Sequence, residues 1–90
     1  MAWTVIFDER AKRELKSLDK PNAVRITRFL RERLIPSNDP RSLGEALRGA
    51  KLGSFWKYRV GDYRIIAEIQ DKGMVVLVIR IGNRRDIYKR

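Results

Sequence analysis

Residues 54–68 read Ser-Phe-Trp-Lys-Tyr-Arg-Val-Gly-Asp-Tyr-Arg-Ile-Ile-Ala-Glu, and this segment predicts a β-hairpin. In residues 55–60, aromatic or apolar side chains alternate with Lys57 and Arg59, as in a strand with one buried face. Gly61-Asp62 is the predicted two-residue loop, because glycine adopts the positive φ that such turns require. A second strand follows the loop directly.

This hairpin would place like charges opposite each other. In a two-residue hairpin Val60 faces Tyr63, so Arg59 faces Arg64 across the ladder. Like charges in directly opposed positions destabilise a sheet. Lys57 lies two residues further along the same face. Three cations on one side of one hairpin indicate a site built for an anion, and the alternative is a solvated basic face.

Composition narrows the class of protein. Ninety residues are enough for one small domain, spanning 1–90. The 21 basic and 11 acidic residues give a net charge of +10, which favours nucleic acid over an acidic protein or anionic lipid as the partner. The chain has no cysteine and no histidine, which excludes disulfides, the Ser-His-Asp triad and ordinary zinc sites.

Targeting signals are not visible in the sequence. The N-terminus lacks a basic stretch followed by an apolar run, so no signal peptide is predicted. The longest apolar run, Met74–Ile79, is too short to span a bilayer. We therefore expect a cytoplasmic protein without a membrane partner.

The remaining segments predict an α+β fold. Ala2–Phe7 is a first strand, Asp8 caps a helix running to about Leu18, and a second helix begins near Pro21 and ends by Ile35. The irregular stretch Ile35–Gly53 holds a short strand or helical turn within Ser42–Gly49. After the hairpin come a turn at Asp71-Lys72-Gly73, with Gly73 in the left-handed conformation, and a central strand over Met74–Ile81.

The predicted architecture is an N-terminal strand, an antiparallel helical hairpin and a three-stranded antiparallel meander that form one twisted sheet. The helices cover one face of the sheet. The other face is partly open, and we expect the hairpin cations there.

Cations and tyrosines are the residues left for chemistry. No Walker-type phosphate loop is present, and Glu68 is the one carboxylate predicted within a strand beside the cations, which disfavours a magnesium-dependent nuclease. Metal-free cleavage of RNA needs a base for the 2′-hydroxyl proton, positive charge on the phosphorane-like transition state and an acid for the 5′-oxygen. Arginine supplies bidentate donors to phosphate, and tyrosine stacks on bases. No cofactor is predicted.

Two longer segments carry a family resemblance. They are Gly53-Ser-Phe-Trp-Lys-Tyr-Arg-Val-Gly-Asp-Tyr-Arg-Ile-Ile-Ala-Glu-Ile69 and Val78-Ile-Arg-Ile-Gly-Asn-Arg-Arg-Asp-Ile-Tyr88. They resemble the RelE/ParE toxin superfamily of toxin–antitoxin modules, and within it the RelE branch. The resemblance spans the whole chain. It implies a microbial-RNase-like fold and an endoribonuclease that cuts mRNA in the A site of the 70S ribosome, neutralised by a RelB-like antitoxin.

The resemblance also implies roles for particular residues. Arg64 matches an arginine that contacts the scissile phosphate, and Arg84 one that stabilises the leaving group or acts as its acid. Tyr88 matches a tyrosine that stacks on or orients the substrate, and Lys57 a lysine that stabilises the transition state or acts as base. Further predicted RNA contacts are Lys51, Arg59, Arg80 and Arg85. Phe55 and Asn83 depart from the family, whose members carry a second lysine and often a histidine there.

Two other functions stay open at this point. One is a non-catalytic toxin of the same fold, like the ParE branch, which poisons DNA gyrase. The other is a basic module that binds nucleic acid or an acidic protein without turnover.

Overall fold

The computed structural model describes residues 2–47 and 55–87. Its first strand, β1, is followed by two helices and four more strands. The helices are α1 over Glu9–Ser17 and α2 over Lys20–Phe29, which continues as one π turn over Leu30–Leu34. The strands are β1 Thr4–Phe7, β2 Glu45–Ala46, β3 Phe55–Val60, β4 Tyr63–Gln70 and β5 Val75–Asn83.

The helix ends follow from local chemistry. The Asp8 side chain accepts a hydrogen bond from the Ala11 amide at 2.9 Å, which satisfies one amide of the first turn of α1. Pro21 lies in the first turn of α2, where its missing N–H costs nothing. The π turn ends before Pro36, with the Ile35 amide bonded to the Leu30 carbonyl. The predicted helical segments are confirmed.

The five strands form one mixed sheet in the order β1-β5-β4-β3-β2. β1 runs parallel to β5, and all other neighbours are antiparallel. The predicted α+β class and meander are confirmed, and β2, at one edge of the sheet, lies within Ser42–Gly49, where a short strand or helical turn was expected. In the part of the chain that the structure describes, neither helix is long and apolar enough to cross a bilayer.

One face of the sheet packs on the helices. Buried side chains of the strands meet those of α1, α2 and the π turn in one cluster. The fully buried members include Ala11, Ile26, Leu34, Tyr58, Ile65, Val76 and Val78. Trp3, immediately before β1, is also buried. The opposite face carries the cations of the β3–β4 hairpin.

The two turns of the meander differ from each other. Gly61 has φ +60° and Asp62 does not have a positive φ, as in a type II′ hairpin with glycine first. In the β4–β5 turn, the predicted left-handed Gly73 is wrong, because the positive φ of 52° lies at Met74. The Met74 amide donates to the Asp71 carbonyl at 3.1 Å, so the tight turn closes one residue later than predicted.

Candidate functional site

A depression of about 420 Å³ gathers five of the eight residues predicted for the site. The five are Lys57, Arg59, Arg64, Arg84 and Arg85. Glu45 and Tyr58 also line it. Among residues 2–47 and 55–87 the pocket thus combines five cationic side chains with a single carboxylate, and below we call it the cationic pocket.

The hairpin register determines the positions of three of these cations. Arg59 is paired with Arg64 and Lys57 with Ile66, as the two-residue loop predicts. Arg64 donates from Nη1 to the carbonyls of Gly61 at 3.2 Å and Tyr63 at 2.9 Å. Because guanidinium has five N–H donors, anchoring Nη1 at the turn leaves Nε and Nη2 to point a fork at a phosphate.

The segment after β5 brings the other two arginines. The Arg84 amide donates to the Asp62 carbonyl at 2.8 Å, which docks this segment against the hairpin loop. The Asn83 side chain accepts from the Arg85 amide at 2.9 Å and holds the turn. Ile87 is buried at 3% exposure, so an apolar anchor follows the two arginines. Arg84 and Arg85 thus line the same pocket as the hairpin cations.

Glu45 is the site residue that sequence reasoning missed. It lies in β2 directly opposite Lys57, a position where Cβ atoms are about 4.5–5.5 Å apart. The expectation that Glu68 is the one strand carboxylate beside the cations is wrong, since Glu68 pairs with Phe55 outside the pocket lining. Two residues are too short a strand to show a period-two pattern. The sequence signal for this strand was Gly44, the residue immediately before it.

Gly44 allows β2 to approach β3 closely. A Cβ built at Gly44 would lie 2.6 Å from the Lys57 carbonyl oxygen and 2.8 Å from the Tyr58 ring. Such distances are shorter than van der Waals contact, so only glycine fits without a shift. The absence of a side chain here therefore sets the distance between Glu45 and Lys57.

Tyr58 holds the loop that leads into β2. Its side chain is fully buried, and its hydroxyl donates to the Pro40 carbonyl at 2.9 Å. Burial raises the pKa of Tyr58 to about 12, so the phenol stays neutral and does not exchange protons near neutral pH. Tyr58 is consequently a structural support beneath the cationic pocket.

Among the described residues, one predicted site residue, Arg80, is not in the pocket lining. Arg80 pairs with Glu14 of α1, with Nε 3.0 Å from the carboxylate. The face of the sheet on which Arg80 lies depends on a bulge in β5, where Ile79 is the extra residue between the pairs Ala67–Val78 and Ile66–Arg80. Lys51 and Tyr88 lie outside the described residues.

The cations of the pocket have no acidic partner within ion-pair distance in the described ranges. Within residues 2–47 and 55–87, no carboxylate lies within 4.0 Å of a cationic nitrogen of Lys57, Arg59, Arg64, Arg84 or Arg85. By contrast, Arg41 pairs with Asp71 at 2.6 Å and Arg80 with Glu14. The hydrogen bond and charge of Asp71 raise the pKa of Arg41, and Arg41 in turn lowers the pKa of Asp71. Concentrated positive charge without a partner attracts a polyanion.

The same described ranges contain no group of three or more acidic residues that could hold a metal ion. What the cationic pocket offers to a ligand is therefore a set of nitrogen donors around one carboxylate.

The fold matches that of toxins from toxin–antitoxin modules. The structure superimposes on the toxin–antitoxin complex RelBE2 of Mycobacterium tuberculosis with a TM-score of 0.82 and 28% identity, over 93% of this chain and 100% of that chain. It superimposes on the isolated RelE toxin of Escherichia coli with a TM-score of 0.74 and 28% identity, over 91% of this chain and 84% of that one.

Sequence comparison agrees with the fold. The family model for the ParE toxin of the type II toxin–antitoxin system parDE matches residues 5–88. Toxin RelG of Mycobacterium tuberculosis is 33% identical over 90 residues, covering all of both chains. The mRNA interferase toxin RelE of Escherichia coli is 33% identical over 84 residues, covering 93% of this chain and 85% of that protein. The chain belongs to the RelE/ParE superfamily of type II toxins, in its RelE family.

Proposed function

We propose that the chain is a ribosome-dependent endoribonuclease, which cleaves mRNA in the ribosomal A site and so inhibits translation. The observation that carries the proposal is the convergence of five cations on one pocket, with a carboxylate directly opposite one of them. It is supported by relatives named mRNA interferases, at 33% identity.

The reaction is an attack of the 2′-hydroxyl on the adjacent phosphorus, which expels the 5′-oxygen of the next nucleotide. The base that takes the 2′-hydroxyl proton is Glu45 in this proposal. Carboxylates are ordinarily ionised at neutral pH and ready to accept a proton, whereas a lysine is ordinarily protonated. Glu45 also faces the strand on which the phosphate would lie, opposite Lys57.

The cations stabilise the charge that develops during this step. Arg64 is anchored at the turn and directs its fork to the nonbridging oxygens, and Lys57 adds charge beside Glu45. Arginine keeps its protons at neutral pH, so Arg84 neutralises charge on the departing 5′-oxygen and does not act as an acid. The 5′-oxygen takes its proton from water. Arg59 and Arg85 hold the flanking backbone, and the stacking role of Tyr88 remains a prediction.

We also propose a RelB-like antitoxin as partner and the cytoplasm as the site of action. Support comes from the solved toxin–antitoxin complexes RelBE2 of Mycobacterium tuberculosis and RelBE of Escherichia coli, whose toxins share this fold. An acidic segment of such an antitoxin would neutralise the cationic pocket and block substrate entry.

Primer extension on an mRNA in a purified translation system tests the proposal. We expect cuts on translated mRNA at a fixed position of the codon, and no cuts when ribosomes are omitted. Cuts on naked RNA would remove the ribosome from the mechanism.

Matched variants make this test specific to the pocket. Arg64→Ala and Arg84→Ala should each lower cleavage at least a hundredfold while the fold survives, and Arg28→Ala, on α2, should cleave as the unaltered protein does. The family model carries the name of the ParE toxin. Absence of cuts together with stabilised gyrase–DNA cleavage complexes would therefore replace the nuclease with a gyrase poison.

A further inference from the structure

Glu14 of α1 caps an open strand edge at the start of the segment that carries Arg84. β5 extends beyond the end of β1, so in the described part of the chain its residues after Val78 have no neighbour strand on that side. The Glu14 carboxylate accepts the Ile81 amide at 2.8 Å and Arg80 Nε at 3.0 Å. One acidic side chain thereby joins the helix to the strand.

Arg80 extends this connection to the segment that follows β5. While Nε binds Glu14, Nη1 donates to the Ile87 carbonyl at 3.3 Å. Ile87 packs beneath the segment, with its Cβ 3.5 Å from the Cβ position of Gly82. The Arg84 amide also donates to the Asp62 carbonyl of the hairpin loop, and the Ile87 amide donates to the Asn83 carbonyl at the end of β5.

We propose that Glu14 and Arg80 are positioning residues for Arg84, and this inference rests on the proposed function. Both are about one-fifth exposed, so their charge-assisted bonds are partly shielded from water. The two contacts of Arg80 require an arginine, since Nε binds Glu14 on the helix and Nη1 binds Ile87 in the segment. Arg80 acts through Arg84 and does not itself contact the substrate.

A double-mutant cycle on ribosomal cleavage tests this route of action. Arg80→Met should lower the cleavage rate about tenfold with KM for the programmed ribosome unchanged. In an Arg84→Ala background the same change should have no further effect, because the residue it positions is gone. Multiplicative losses in the double variant, or a KM effect alone, would overturn the proposal in favour of direct RNA contact.

Two further variants separate charge from geometry. Arg80→Lys keeps a cation beside Glu14 but has one nitrogen, so it should lose most of the activity that Arg80→Met loses. Arg10→Met removes an exposed cation whose Nε lies 3.7 Å from the same carboxylate, and it should cleave normally. Full activity of Arg80→Lys would show that charge alone suffices, which contradicts the positioning role.

Amide hydrogen exchange provides a readout that does not depend on cleavage. In Arg80→Met the amides of Arg84 and Ile87 should exchange at least tenfold faster, while that of Ile65 in the core keeps its protection. Unchanged exchange at Arg84 and Ile87 would refute the inference. If the unaltered protein cuts no RNA, the proposed function fails, and the exchange data alone still decide whether Arg80 holds the segment.

Discussion

Replacing Glu45 by glutamine removes the proposed base and keeps the size of the side chain. A general base contributes about 10²–10⁴ in rate, so the barrier should rise by about 2.7–5.5 kcal/mol. Glu45 is exposed and has no ion-pair partner within 4.0 Å among the described residues. The free energy of unfolding should therefore change by less than about 0.5 kcal/mol.

Binding and cleavage should move in opposite directions in this variant. A carboxylate about 6 Å from a phosphate repels it by about 0.7 kcal/mol at the dielectric constant of water. Glu45→Gln should therefore bind mRNA up to about threefold more tightly while it cuts at least a hundredfold more slowly. Single-turnover cleavage on programmed 70S ribosomes, over a range of toxin concentrations, separates the two effects.

Glu68→Gln is the matched control. It makes the same change of charge in β4, opposite Phe55 and outside the pocket lining, and it should cleave at the unaltered rate. Cleavage by Glu45→Gln within about threefold of the unaltered protein would refute the assignment of the base. An equal loss in both glutamine variants would attribute the effect to net charge.

Three further predictions concern the stability of the fold. Burial raises the pKa of Tyr58 from 10.0 to about 12. The buried neutral phenol therefore contributes its full stabilisation below about pH 10. Up to about 2.7 kcal/mol of the free energy of unfolding is lost as the pH rises to about 12. In urea titrations, the stability of Tyr58→Phe should depend less on pH over this range. Gly61→Ala should destabilise by about 1–2 kcal/mol because of its φ of +60°, whereas Gly73→Ala, without a positive φ, should stabilise by about 0.4–1 kcal/mol in thermal unfolding. Arg59→Thr removes the charge opposed to Arg64, so it should raise the free energy of unfolding by about 0.2–1 kcal/mol. The same variant should bind RNA more weakly in a salt titration. A lower free energy of unfolding would contradict repulsion between the two arginines.

The hairpin was predictable because its information is local. Alternation fixes which side chains share a face, and a two-residue loop fixes the register, so the pair Arg59–Arg64 followed from the sequence and is observed. Asp8 and Pro21 likewise marked helix ends that the structure confirms.

The missed features depend on contacts between distant segments. Glu45 reaches Lys57 because Gly44 lets a two-residue strand dock, and no periodicity reveals so short an element. The side on which Arg80 lies depends on the extra residue at Ile79, which the apolar run over residues 74–81 conceals. The five cations of the cationic pocket could be predicted from the sequence, whereas the position of Glu45 opposite Lys57 and the contact of Arg80 with Glu14 required the fold.

The chemistry is tested most directly by an mRNA with one 2′-deoxynucleotide at the cleaved position of the A-site codon, bound to 70S ribosomes. The all-ribose mRNA should be cut, leaving a 2′,3′-cyclic phosphate and a 5′-hydroxyl, and the deoxy mRNA should stay intact because its nucleophile is missing. Equal cutting of both mRNAs would contradict attack by the 2′-hydroxyl. Absence of cutting in both would contradict the nuclease itself.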